Sequence, residues 1–209
     1  MSLDLSVGTL AWCLANGEKE GADWTRRDMR EINRLLAVSG MPAHVEPQTL
    51  PKLRDRCRLH GMPYSWIHYL RRAIAYARQS PADFRPLGEN QDPDDPCLDR
   101  EIDLFQSHVI CHSDSDGYYI PIDFWDPLLD ETDVLVGGVL GSCQAGMREL
   151  VQVAPLLNIH LRDSKLSNAM AKEIADEDGG PLRIERQVWL QLYETFRLSI
   201  EHGAAVKFS

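Results

Sequence analysis

The stretch SHVICHSDSDGYYIPIDF, residues 107–124, is the clearest indication of the fold class of this sequence. Two runs rich in β-branched and aromatic residues flank Ser-Asp-Ser-Asp-Gly, and Asp116-Gly117 is typical of a tight turn because both positions tolerate positive φ. We therefore expect an antiparallel hairpin with strands at 107–112 and 118–124. A proline inside the second run either places that strand at a sheet edge or interrupts it, since proline lacks the N–H that a ladder requires.

Helical patterns lie on both sides of this hairpin. Apolar residues recur every three to four positions, and capping residues, glycine and proline mark the ends. The predicted helices cover 25–39, 50–60 and 63–78 before the hairpin, and 142–155, 164–176 and 181–202 after it. Residues 3–16 favour helix over strand, and 134–140 favour a further strand. The sequence thus predicts an α+β protein, helix-rich with a small antiparallel sheet in the middle of the chain.

Prolines and an aspartate-rich run, 92–99, interrupt these patterns before the hairpin. We expect one globular domain over residues 1–209. Within it, the composition favours a basic helical subdomain at 1–80, a connecting loop rich in Pro and Asp at 81–100, and an α+β subdomain at 101–209.

Charge is divided unevenly along the 209 residues, whose net charge is −10. Residues 81–147 carry 15 acidic and 2 basic side chains, whereas 1–80 carry 8 and 12. Such a block repels nucleic-acid phosphates and steers a basic protein towards it, although an acidic loop that only keeps the chain in solution has the same composition. We expect a basic protein partner and no nucleic acid. His68, Arg71 and Arg72 are interpreted as a solvated helix face.

Aromatic side chains accompany these carboxylates, a combination that can anchor a protein interface. The competing interpretation is that alternate residues of the predicted strand pack inward. The expected partner-binding residues are Asp94, Asp95, Asp99, Asp103, Asp114, Asp116, Tyr118, Tyr119 and Trp125. In general character the chain is similar to small acidic bacterial proteins that neutralise a toxin partner. This analogy implies a non-enzymatic, acidic protein-binding module of the immunity or antitoxin type.

Histidines and aspartates of the hairpin form a second candidate, a metal site that would support a metal-dependent enzyme. His108, His112, Asp114 and Asp116 are close in sequence, and the spacing of the last three imitates part of a calcium-binding loop. On a strand, however, the two imidazoles stand about 13 Å apart, too far to share one ion. We therefore favour a turn whose serine and aspartate side chains bond their own backbone, with no metal and no cofactor.

A glycine-rich run opens into a predicted helix at Cys143, and a helix N-terminus favours the thiolate form of a cysteine placed there. The string GSCQA, residues 141–145, partly resembles the nucleophile segment of papain-like cysteine proteases, which has an aromatic residue at the position of Gln144. The resemblance implies a hydrolase with Cys143 as nucleophile, for which His160 is a candidate base. The alternative, which we favour, makes Ser142 a helix cap and Cys143 a buried apolar residue.

Five cysteines without a C-x-x-C pair are typical of a reducing compartment and not of a disulfide framework. The longest apolar runs fall far short of the ~20 residues that a bilayer span requires, and the first residues lack the pattern of a signal peptide. We therefore expect a cytoplasmic protein without membrane contact.

Overall fold

The computed structural model describes residues 2–58, 61–88, 91–132 and 134–209. Within them, seven α-helices and mixed sheets form an α+β fold, which confirms the predicted class. The helices are α1 (Thr9–Asn16), α2 (Lys19–Val38), α3 (Tyr64–Gln79), α4 (Pro96–Leu104), α5 (Cys143–Val153), α6 (Asn168–Ala175) and α7 (Arg183–His202). The strands are β1 (Ser2–Leu3), β2 (Leu5–Val7), β3 (Met62–Pro63), β4 (Gly117–Ile120), β5 (Leu128–Leu129), β6 (Val139–Ser142), β7 (Leu161–Arg162), β8 (Lys165–Leu166) and β9 (Val206–Phe208).

Five strands form the central sheet in the order β2-β9-β4-β6-β5. Strand β4 runs parallel to β6 and antiparallel to β9, so its partners lie far away in sequence. Tyr119 on β4 is in register with Gly141 on β6, and a Cβ at Gly141 would stand 2.2 Å from the Tyr119 ring. Glycine is therefore required at this position for the ring to lie over the neighbouring strand.

Different helices cover the two faces of this sheet, because successive side chains of a strand point to opposite faces. Tyr119 packs into one cluster with buried residues of α3, α5 and α7. Tyr118 and Ile120 pack into another, to which α2 contributes Ile32 and Leu36. The sheet thus separates a large helical layer from a single long helix.

Helix α7 is the centre of the larger layer. Its middle is buried on every side, and Trp189 and Phe196 are fully enclosed. The Trp189 indole N–H donates to the Leu150 carbonyl of α5 at 2.7 Å, which satisfies the one polar group of this side chain inside the core. Helix α3 packs beside α7 and buries Ile67 and Ile74 between them and the sheet.

Residues 107–112 form turns, so the strand predicted there and its hairpin with 118–124 are wrong. The turns surround the Arg71 guanidinium of α3. It donates to the carbonyls of Val109, His112 and Ser113. A side chain therefore takes the bonds that a neighbouring strand would have made. The antiparallel pair in the middle of the chain is instead β5 with β6.

Residues 3–16 form β1 and β2 before α1 and are not one helix, and of the strand predicted at 134–140 only the last two residues belong to β6. Several other elements differ only in their ends. Helices α3, α5 and α7 agree with the sequence, whereas α2 begins already at Lys19 and the predicted loop at 81–100 contains the start of α4. Residues 50–58 contain no helix, and the last two residues of the helix predicted at 50–60, Leu59 and His60, lie outside the described residues. Among the described helices, none has both the length and the apolar character that a membrane crossing needs.

Candidate binding surface of the acidic segment

The acidic segment, residues 81–147, lies against α3, whose cations pair with part of its carboxylates. His68 lies 3.2 Å from Asp114. The other two ion pairs are Arg72 with Asp95 at 3.0 Å and Arg78 with Glu101 at 2.6 Å. The cations of α3 therefore face inward, towards the acidic segment, and hold it on the helix.

Arg71 and Arg72 are both buried, so the predicted solvated face of α3 is wrong. Arg71 has three carbonyls as acceptors and no carboxylate, and its burial lowers the pKa of its guanidinium. Arg72 donates to the Arg85 carbonyl at 2.9 Å as well as to Asp95. Both side chains shape the loops around them instead of meeting solvent.

Asp95 fixes the start of α4. Its carboxylate accepts the Cys97 N–H at 2.8 Å, as a helix cap does, and also accepts from Arg72 and from the Tyr76 hydroxyl, each at 3.0 Å. Burial alone would raise the pKa of Asp95, but these hydrogen bonds outweigh it and lower the pKa. Asp95 is thus an ionised structural residue at the base of α4.

Two further carboxylates of the segment pair with cations from other elements. Asp123 receives two hydrogen bonds from Arg148 of α5, at 2.8 and 2.9 Å. Asp130 accepts from Arg34 of α2 at 2.8 Å and from the Thr132 hydroxyl, and these bonds hold the pKa of Asp130 well below its usual value. Four of the 15 acidic side chains therefore pair with arginines that the segment does not supply, and a fifth, Asp114, lies against the His68 ring.

The remaining described carboxylates of the segment are exposed and make no ion pair. They are Asp83, Asp92, Asp94, Asp99, Asp103, Asp116, Asp126 and Glu131. The first five lie within 81–104, the stretch that covers the second half of α3, and we call these five the acidic layer. Four of the eight, Asp83, Asp92, Asp126 and Glu131, were not among the predicted partner-binding residues. Asp92 begins the aspartate-rich run 92–99, and only the charge count of the whole segment indicated the other three.

Helix α4 carries the most regular part of the acidic layer. Asp99 and Asp103 are four residues apart, so their Cβ atoms lie about 6 Å from each other on one face. Ile102 shares that face and is 47% exposed. Cys97, Leu98 and Glu101 point the other way and are buried. The helix therefore presents two carboxylates and the apolar side chains of Ile102 and Leu104 to solvent, while its exposed cation Arg100 donates to the Gln79 side chain.

Two of the predicted partner-binding residues do not reach the surface. Tyr118 and Tyr119 are each 1% exposed. The Tyr118 hydroxyl donates to Asp28 at 2.7 Å and the Tyr119 hydroxyl donates to the His108 carbonyl at 2.8 Å. Burial raises the pKa of both hydroxyls. These tyrosines belong to the core on either side of the sheet, because β4 is a central strand and not an edge.

Trp125 and Asp116 are exposed as an interface requires, and Trp125 is 84% exposed. Asp114 is half-buried in its pair with His68. Beside Trp125 lies an open cavity of about 310 Å³, lined among others by Arg78, Asp126 and Arg148. It borders the end of α4 through Gln106. The exposed tryptophan is thus the one aromatic of the predicted set that a partner can reach.

His108 positions the loop that carries Trp125. Its Nδ1 accepts the Ser142 N–H at 3.0 Å, so the proton lies on Nε2, which donates to the Trp125 carbonyl at 3.1 Å. Burial lowers the pKa of His108 to about 4. The ring is therefore neutral near pH 7 and both of its nitrogens are used by the backbone.

The alternative metal site is not formed. His112 is buried, with its two ring nitrogens directed at the carbonyls of Ser113 and Tyr118, and burial lowers its pKa to about 4. Asp114 turns to His68, and Asp116 is exposed. Within the described ranges, no three His, Cys, Asp or Glu side chains are grouped as an ion would require.

The alternative thiol nucleophile is wrong as well. Cys143 is fully buried, its Sγ lies 3.1 Å from the Ser199 hydroxyl, and burial raises the pKa of the thiol to about 12. Ser142 caps α5 by accepting the Ala145 N–H, as expected. His160 is not the hydrogen-bonding partner of this thiol. Cys143 is therefore a packing residue of the core.

Comparison with known proteins gives one match. A family model described as "Putative DNA-mimic protein" matches residues 1–208. No curated protein and no solved structure matches the chain.

Proposed function

The chain belongs to the DNA-mimic family, and we propose that it occupies the DNA-binding surface of another protein by means of its acidic layer. The observation that carries this proposal is the set of five exposed carboxylates without ion pairs on residues 81–104. They stand for the phosphates that a DNA-binding protein contacts with lysine and arginine.

The family corrects the immunity or antitoxin role that the sequence suggested, because a DNA mimic acts on DNA-binding proteins. It corrects the predicted partner in the same way. The expected partner was an unspecified basic protein, with no nucleic acid bound. The family implies a protein whose natural ligand is DNA.

The spacing of the layer suits this role. Asp99 and Asp103 advance about 6 Å along the axis of α4. One strand of duplex DNA carries a phosphate about every 3.4 Å of its axis, so the two carboxylates cover the advance of roughly two nucleotides. The other three acidic residues extend the charge along the chain that leads to α4.

The scaffold supports the proposal because the carboxylates are held in place before binding. Asp95 caps α4 and pairs with Arg72, and Glu101 pairs with Arg78 from the buried side. A surface that is already ordered loses little conformational entropy on binding. Arg72 is buried beneath the layer and Arg78 is only partly exposed. The five exposed carboxylates also outnumber the exposed arginines of this stretch, Arg85 and Arg100, so the exposed charge remains negative.

Trp125 offers a partner an apolar contact that DNA phosphates do not. Tryptophans at the centre of protein interfaces often contribute more than charged residues at the rim. With 84% of its surface exposed, Trp125 can bury a large apolar area against a partner. We infer that carboxylates guide the encounter and that this side chain slows dissociation.

The test has two steps. The tagged chain first captures proteins from its own cell extract, and the captured protein is then purified and loaded with fluorescent duplex DNA. The wild-type chain is expected to displace the DNA, as followed by fluorescence anisotropy. The double variant Asp99→Asn and Asp103→Asn should need a concentration higher by roughly tenfold, because two charge contacts are lost.

A matched control changes charge elsewhere by the same amount. Glu18 and Glu20 are exposed and make no ion pair, so Glu18→Gln with Glu20→Gln should displace DNA like the wild type. The proposal is wrong if the wild-type chain leaves the DNA bound, or if both double variants weaken displacement equally.

The expected cytoplasmic location belongs to this proposal. DNA-binding proteins of a cell work in a reducing compartment, and all five cysteines are free.

A further inference from the structure

A cationic groove lies away from the acidic segment, between residues 51–58, strand β8 and the start of α6, on the surface of α7. Its cavity measures about 450 Å³. Four cations line it and we call the site the cationic groove. They are Arg54, Arg56, Lys165 and Arg197. For a chain with a net charge of −10, this is an unusual local excess of positive charge.

Two of these cations build the groove. Arg56 and Arg197 both pair with Glu194, at 2.5 and 2.9 Å, and the Glu194 side chain is 1% exposed. Arg197 also pairs with Glu201 and donates to the Arg54 carbonyl. The guanidinium donors are thereby used inside the protein, and they fix the segment 51–58 on α7.

The other two cations are open to solvent. Arg54 and Lys165 are exposed, and in the described part of the chain neither side chain has a carboxylate partner. Long, exposed cations of this kind suit a broad anionic surface better than a small anion, which needs rigid donors with free N–H groups. The floor of the cavity includes two apolar side chains, Leu166 and Tyr193, next to the polar Asn168.

Helix α4 presents the opposite pattern. Asp99 and Asp103 lie beside Ile102 on its exposed face, so two carboxylates adjoin an apolar side chain. The exposed cation of the helix, Arg100, donates to the Gln79 side chain. The cationic groove has two free cations around a floor that includes two apolar side chains. Both surfaces are exposed in the single chain, so neither covers the other.

We propose that the acidic face of α4 in one copy docks into the cationic groove of a second copy of this chain. The contact is a helix laid on a groove, with Ile102 on the apolar part of the floor and Asp99 and Asp103 against Arg54 and Lys165. A nucleic-acid strand fits the groove less well, because it offers no apolar side chain and is repelled by the net charge of −10.

Self-docking hides two carboxylates of the acidic layer. A DNA-binding protein then has to displace the second copy before it contacts Asp99 and Asp103. Self-associated copies therefore do not bind it through these residues until dilution or a tightly binding partner separates them. This regulatory consequence rests on the proposed function. The contact between two copies does not.

The experiment is a charge swap in the full chain. The groove variant carries Arg54→Glu and Lys165→Glu, and the helix variant carries Asp99→Lys and Asp103→Lys; all four positions are exposed. Sedimentation velocity at about 0.05 M and about 0.5 M salt measures self-association. The wild type should associate about tenfold more tightly at low salt, and each variant alone should lose about tenfold in affinity. A 1:1 mixture of the two variants should regain association, since each supplies the charge that the other now requires.

Three outcomes overturn the inference. The first is a wild-type chain that stays monomeric at low salt, and the second is association that neither variant weakens. The third is a mixture that does not regain association. Fluorescent duplex DNA alone serves as the competing probe, and binding that only the groove variant abolishes would identify nucleic acid as the occupant instead.

The two proposals fail separately. The groove variant keeps the acidic layer, so it should still displace DNA from the partner protein, and at a lower concentration than the wild type. Displacement without self-association leaves the proposed function standing alone. A successful charge swap in a chain that never displaces DNA leaves only the self-docking contact.

Discussion

Two parts of the acidic segment, residues 81–104 and 105–130, carry eight and five acidic side chains and place them differently. Residues 81–104 leave five described carboxylates exposed and unpaired, and pair only Asp95 and Glu101 with α3. Residues 105–130 pair three of five and bury two tyrosines and two histidines. The difference lies in the cations and strands that each part meets. A run of carboxylates in a sequence therefore does not define a surface until its neutralising partners are known.

The largest expected effect is a loss of stability in the turns of residues 105–130. Arg71→Ala removes the donor of three buried hydrogen bonds and leaves the carbonyls of residues 109, 112 and 113 without it. We expect the free energy of unfolding to fall by about 3–5 kcal/mol, as measured by urea denaturation. Arg54→Ala, at an exposed position, should change it little. A variant as stable as the wild type would mean that the turns hold themselves without Arg71.

Some features of this fold follow from the sequence and others do not. The α+β class, α3, α7 and the burial of Cys143 follow from local periodicity and capping, which the sequence carries. The positions of Arg71 and Arg72 do not, because they lie off the apolar stripe and only the loops folded over them bury them. The strand predicted at 107–112 failed for the same reason, since a distant side chain took its carbonyls.

The candidate site was predictable in part. The aspartate run and the acidic charge of the predicted loop indicated Asp94, Asp99 and Asp103 as exposed residues, whereas the helix α4 that carries the last two was not predicted. Tyr118 and Tyr119 could not be assigned to the core, since their strand pairs with β6 and β9 and only these long-range partners make it central. An edge strand would have exposed one of them.

The second prediction tests whether Asp95 fixes residues 81–104 on α3. Asp95→Ala removes the cap of α4 and leaves Arg72 buried without its carboxylate, so we expect a loss of about 2–4 kcal/mol in urea denaturation. Asp95→Asn keeps a capping oxygen and should lose less. The neighbouring Asp94→Ala should lose almost nothing, because Asp94 is exposed and unpaired. Equal losses at both positions would refute the structural role of Asp95.

The third prediction concerns His112 in residues 105–130 and the pH dependence of the free energy of unfolding. Burial lowers the pKa of His112 from 6.5 to about 4. A histidine whose pKa is lowered by folding stabilises the fold fully above its unfolded value, and this contribution is lost as the pH falls from about 6.5 towards 4. Between about pH 7 and pH 5, the wild type should therefore lose about 2 kcal/mol more than His112→Gln.

Comparing two chains cancels the groups that titrate in both, among them Glu185, whose raised pKa of about 7 acts in the opposite direction. Chemical denaturation at a series of pH values gives the difference. A difference that is independent of pH would show that the His112 ring is already charged or exposed in the folded chain.

The smallest expected effect on the free energy of unfolding comes from the exposed carboxylates of α4. Asp99→Asn with Asp103→Asn removes two charges from the acidic layer and breaks no ion pair, hydrogen bond or core contact of the described chain. Residues without such contacts change the free energy of unfolding by less than about 0.5 kcal/mol. Relief of repulsion between the two carboxylates favours a small gain, whereas loss of the Asp99 charge from the first turn of α4 favours a small loss, so the two effects oppose each other. Urea denaturation at low and at high salt should therefore both give a change within this limit, since salt screens both effects. Carboxylates kept at no benefit to the fold are kept for an encounter, whereas a clear loss of stability would return Asp99 and Asp103 to the structural group of Asp95 and Glu101.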